Sequence, residues 1–99
     1  MMIAKVVATV VATVKDAGFD TKKLIVVHAH ILKDGQLIPG QTVVVANDDL
    51  GAGEGDFVLV TQGSSARLAP GMKNCATDAV VIALIDRIDA HGQPVFCKK

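Results

Sequence analysis

The stretch "IAKVVATVVATVK", residues 3–15, restricts the fold more than any other part of the chain. On an extended backbone Ala4, Val6, Ala8, Val10, Ala12 and Val14 share one face, while Ile3, Lys5, Val7, Thr9, Val11 and Thr13 share the other. Valine and threonine are stiff at χ1 and favour strands, which overrides the helical preference of the alanines. Both faces are largely apolar, so this strand needs cover on two sides. A chain of 99 residues forms one domain, spanning residues 1–99, and offers little interior. The cover must come from a second layer or from a neighbouring subunit.

Composition sharpens that conclusion. Hydrophobic residues make up 51% of the chain and nine glycines come on top, whereas about 45–50% is usual for both together. The excess is aliphatic, with 15 valines, 13 alanines and 7 isoleucines. A small monomer hides that much apolar surface poorly, which points to self-association. The formal charge is zero and there is neither Trp nor Tyr. Nucleic-acid binding draws on basic surface for phosphates and aromatic rings for stacking, so no nucleic-acid partner is expected. Cys75 and Cys97 are too few for a disulfide framework and lack metal-ligand spacing, which makes them inert cytosolic thiols. The apolar run Val6–Val14 imitates a signal-peptide core without a cleavage site in place, and its nine residues are too few to span a bilayer. A soluble, cytoplasmic protein with no membrane contact is expected.

Along the chain, "LIVVHAHIL" reads as a second strand, followed by the hairpin signal Asp34-Gly35 in "KDGQLIPGQ". "TVVVAN" and "DFVLVTQ" are the third and fourth strands. "GSSARLAPGMKN" suits one short helical turn capped by Ser64 or Ser65 and ended by Pro70-Gly71. "DAVVIALIDRID" reads as a fifth strand, followed by a turn at His91-Gly92-Gln93 and a short tail. Five closely spaced strands with at most one short helix predict an all-β fold, a small five-stranded barrel of the oligonucleotide-binding type.

No constellation of side chains builds a catalytic centre. Gly51, Gly53 and Gly55 fall short of a dinucleotide fingerprint, because Asp56 holds the place of the last glycine and a strand, not a helix, follows. A Walker loop is absent. These glycines are better explained by positive φ or close backbone approach. His28 and His30 share one strand face in the manner of metal ligands, but no further donors accompany them, so structural histidines are expected and no metal or cofactor. Ser64 and Ser65 lack the surroundings of a nucleophile elbow. Asp48, Asp49, Glu54 and Asp56 lack calcium-loop spacing and read as a solvated loop. Arg67 suits an ion pair with a carboxylate.

The run Asp48, Gly51-Ala52-Gly53, Asp56 before "VLV", then Gly63-Ser64-Ser65-Ala66-Arg67 resembles the signature of the EutN/CcmL family of bacterial microcompartment shell vertex proteins. The likeness extends to "MIAKVVATVVATVK", "KLIVVHAHI" and "DAVVIALID", and so covers nearly the whole chain. It implies a non-enzymatic pentamer that fills the five-fold corners of a shell whose facets are hexameric tiles. It also implies that the hexameric shell proteins are partners. The resemblance places Asp48, Gly51, Ala52, Gly53, Glu54 and Gly55 in a loop near the five-fold axis, and Gly63, Ser64, Ser65, Ala66 and Arg67 at a subunit boundary. Asp49 departs from the pattern by adding a second acid. The alternative is a small barrel of the same type that binds single-stranded nucleic acid.

Overall fold

A computed structural model describes residues 1–11, 23–63 and 79–98. Seven strands follow one another: β1 (Met2–Val10), β2 (Lys23–Lys33), β3 (Gln36–Asp48), β4 (Phe57–Gln62), β5 (Ala79–Leu84), β6 (Arg87–Ala90) and β7 (Gln93–Cys97). The first five close into a barrel in the order β1-β2-β3-β5-β4, with β4 returning to β1, and β6-β7 form a separate hairpin. All barrel pairs are antiparallel except β3 and β5, which run parallel and touch at Asn47 and Val80. That parallel pairing closes the five-stranded barrel, the architecture expected from the strand spacing.

Residue size decides how the barrel fills. Its interior holds Ala4, Val6, Ile25, Val27, Ala46, Ala52, Val58, Val60, Ala79 and Val81, each at most 3% exposed. A barrel of five strands is narrow, so valine and alanine fill it where larger side chains would overpack. The inward rows follow the register: Val6 opposes Val27, which opposes Val44, and Ile25 opposes Ala46. A bulge between Val6 and Ala8 shifts β1 against β2.

Asp34 and Gly35 link β2 to β3 with φ of 52° and 76°, the paired left-handed geometry of a type I′ turn. The same geometry recurs at His91 and Gly92, with φ of 53° and 74°, between β6 and β7.

Three expectations need correction. The first strand ends at Val10, and Val11 is 88% exposed, while residues 12–15 lie outside the described residues. The third strand starts at Gln36, because "QLIPGQ" continues the hairpin instead of ending it. Residues 78–89 are not one strand: the chain leaves the barrel at Ile85 and Asp86, and the supposed tail is β7. The Ile85 amide donates to the Phe57 carbonyl at 2.9 Å and the Lys98 amide to the Asp86 carbonyl at 2.8 Å, which pins this corner. The short helical turn placed at residues 63–74 falls, apart from Gly63, outside the described residues.

Candidate functional site

The segment between β3 and β4 concentrates the unusual backbone, and two carboxylates build it. Asp48, at the end of β3, is 2% exposed. Its Oδ1 accepts the Leu50 amide at 2.9 Å and its Oδ2 the Ala52 amide at 2.7 Å. A carboxylate that receives local amides in this way stands in for a backbone turn. Lys23, across the sheet from Asp48, places its Nζ 3.8 Å from Asp48 Oδ2 and donates to the Ala52 carbonyl. The buried negative charge therefore has two amides and an ammonium group around it, the arrangement that a buried carboxylate requires.

Asp56 closes the other end. Its Oδ2 accepts the Gly53 amide at 2.9 Å, and its own amide donates to the Gly53 carbonyl at 3.0 Å. Gly55 donates to the Val6 carbonyl and Val6 to the Asp56 carbonyl, both at 2.9 Å, so the loop is stitched along β1. Lys98 Nζ lies 3.7 Å from Asp56 Oδ1, which ties the C-terminal end to the same loop.

Glycine is required here for different reasons at different positions. Gly51 and Gly55 have φ of +84° and +91°, which penalise any L side chain. Gly53 has no positive φ, and a Cβ there would meet only Asp56 Oδ2, at 3.9 Å. Within one chain nothing demands a glycine at that position. Ala52 points the other way from its neighbours in burial: it is 0% exposed and belongs to the barrel core, while Gly51, Gly53, Glu54 and Gly55 are exposed. The sequence motif thus combines a core plug, Ala52, with an outward loop. Sequence reasoning missed the plug, because alternation is not readable in an irregular segment.

Gly63 ends β4 in an exposed turn with φ of +71°. Ser64, Ser65, Ala66 and Arg67 lie outside the described residues.

His28 and His30 sit in a ring cluster on the outside of the barrel. His28 Nε2 bonds the Gly40 carbonyl at 2.7 Å and His30 Nδ1 the His28 carbonyl at 2.9 Å. The His30 ring stacks edge-on against Phe57, which packs in turn against Phe96 of β7, with centroids 5.1 and 4.7 Å apart. Each imidazole has one nitrogen committed to a carbonyl, so both act as bracing groups. Among the described residues no three His, Cys, Asp or Glu side chains gather into a metal-binding group.

Comparison with known proteins places this geometry. The family described as ethanolamine utilisation protein EutN/carboxysome matches residues 1–86. The chain is 38% identical over 89 residues to the bacterial microcompartment shell vertex protein GrpN of Rhodospirillum rubrum, covering 90% of this chain and 97% of that protein. It is 37% identical to the shell vertex protein EutN of Escherichia coli over 98 residues, 99% of this chain and 100% of the relative. The solved structure of CcmL from Nostoc sp. PCC 7120 superposes with a TM-score of 0.87 at 36% identity, covering 99% and 100% of the two chains. The structure of GrpN, described as a pentameric microcompartment shell protein, gives a TM-score of 0.76 over 91% of this chain and 98% of its own. Matching in sequence over its barrel and in structure from end to end, the chain belongs to the EutN/CcmL family.

Proposed function

We propose that this chain is a structural, non-enzymatic vertex protein of a bacterial microcompartment shell, acting as a homopentamer at the five-fold corners. One observation carries the reading: the chain matches shell vertex proteins over nearly its whole length, including one solved as a pentamer. The apolar excess fits it, because a closed ring covers surface that a monomer leaves wet. The protein works by shape, and its place is the protein shell itself. Among the described residues no helix is long and apolar enough to cross a membrane.

In this reading the loop from Asp48 to Gly55 faces the five-fold axis, where five copies approach one another. Gly53 supports that placement, since its lack of a side chain has no reason within a single chain. Gly63 and the adjoining Ser64, Ser65, Ala66 and Arg67 belong to the subunit boundary, with Arg67 paired to a carboxylate. The outer rim of the ring meets the hexameric tiles of the facets. Binding of single-stranded nucleic acid, the other use of such a barrel, draws no support from the relatives.

Co-expression with hexameric shell proteins tests the role. Electron microscopy is expected to show closed polyhedral shells that contain the chain, and open or elongated assemblies when it is left out. Closure that is indifferent to its presence would remove the vertex role.

A further inference from the structure

An antiparallel sheet with one buried face usually turns polar residues to its other side. In the sheet β1-β2-β3 most outward residues are aliphatic instead. Its inward face carries Val6, Ile25, Val27 and Ala46, all at most 1% exposed. By register, the alternate residues form the outward rows: Ala8 opposes Val26, which opposes Val45, and Val10 opposes Leu24, which opposes the buried Asn47. A third row joins Lys5, His28 and Val43. Val45 is 50% exposed and Val43 56%, while Val7, at the bulge of β1 on the far side of β2, is 44% exposed. In these rows only Lys5 carries a fixed charge, and it sits at one end, near the Phe57 ring. The face is mostly aliphatic and nearly uncharged, and it is open in the single chain at Val43 and Val45.

We propose that this outward face of β1-β3, centred on Val43 and Val45, is the contact on which a second copy of the same chain is seated in the ring. The inference rests on the pentamer reading and adds where the ring closes. Three points favour a copy over a foreign partner. Relatives of this fold are solved as pentamers, and five-fold closure is head-to-tail, so every subunit must offer one patch and receive it with a different one. Permanent self-assembly surfaces are more apolar than transient ones and are poor in charge at their centre. Finally, β3 runs without interruption from Val43 and Val45 to Asp48 and the glycine loop, so a neighbour seated on the valines lies beside the loop assigned to the axis.

Because both valines are half-exposed in the isolated chain, charging them leaves the barrel interior untouched. The test is native mass spectrometry at micromolar concentration on three proteins: the wild type, the double variant Val43→Glu/Val45→Glu, and Ile31→Glu. Ile31 is 55% exposed but lies on the arm of the β2-β3 hairpin, away from the rows. The wild type and Ile31→Glu are expected to remain pentamers, and the double variant to run as a folded monomer with an unchanged circular dichroism spectrum. A pentameric double variant overturns the placement and leaves the pentamer reading intact. A monomeric wild type overturns both. If the glutamates unfold the chain, the near-isosteric Val45→Thr decides instead. It is expected to raise the concentration of half-dissociation by at least about threefold, and an unchanged value overturns the placement.

Discussion

The carboxylate of Asp48 holds the backbone amide of Ala52 at 2.7 Å while the Ala52 methyl fills the barrel core. One residue turns the chain out of β3 and the other plugs the interior behind the turn. The loop that carries the family signature is therefore part of the barrel's own packing, and its outward glycines are presented by a rigid base.

Replacing Asp48 with alanine orphans the Leu50 and Ala52 amides and leaves Lys23 without its counter-charge. A buried donor stripped of its partner costs about 1–3 kcal/mol, so Asp48→Ala is expected to lose about 2–4 kcal/mol of stability in thermal or urea unfolding. Asp48→Asn keeps an acceptor oxygen and is expected to lose less. Equal losses would mean that one retained amide contact, without the charge and the second acceptor, does not hold the loop.

The three loop glycines are expected to separate folding from assembly. Gly51→Ala and Gly55→Ala force an L side chain into positive φ and should each cost about 1–2 kcal/mol in unfolding experiments. Gly53→Ala should stay within about 0.5 kcal/mol of the wild type in the same experiments. Gly53→Val, by contrast, is expected to weaken the ring. Stable pentamers from that variant would argue against placing the loop at the axis.

The β6-β7 hairpin begins where the family match ends, at Asp86, and is fastened by Phe96 on Phe57 and by Lys98 beside Asp56. An aromatic pair contributes about 0.5–1.5 kcal/mol beyond its area. Phe96→Ala is expected to speed hydrogen exchange at the β7 amides by about tenfold while the amides of β1 and β2 keep their protection. Uniform acceleration would show that hairpin and barrel open as one unit.

Much of this architecture is legible in the sequence, and the failures have physical causes. The valine-rich runs locate β1, β2 and β4, and Asp34-Gly35 announces its turn because few dipeptides tolerate two positive φ angles. The break at Ile85 and Asp86 is hidden, since residues 78–89 keep β-forming character throughout. What divides them is a pair of long-range hydrogen bonds, to Phe57 and from Lys98. "QLIPGQ" follows the Asp34-Gly35 signal and lies outside the strand read from "TVVVAN", yet Pro39 and Gly40 both fit a strand: β3 is irregular there, and His28 braces the Gly40 carbonyl. In the candidate site, the need for glycine at 51 and 55 was readable, whereas the burial of Ala52 depends on where the barrel closes. The apolar outward rows of β1 to β3 were foreshadowed by residues 3–15, whose two apolar faces already asked for a neighbour.

Binding to single-stranded DNA separates the shell role from the other use of this barrel type. Titration of a labelled oligonucleotide at about 50 mM salt is expected to show no saturable binding, because a neutral chain has no phosphate-binding surplus to release counterions. Tight binding that weakens steeply with salt would favour a nucleic-acid function instead.

The proposed working unit is five copies of the chain, and the mass of the native protein checks it. Native mass spectrometry of the purified wild type is expected to show a species at five times the 10.3 kDa chain mass, persisting on dilution. A stable monomer across the same concentrations would contradict the pentamer and leave the apolar face around Val43 and Val45 without an occupant.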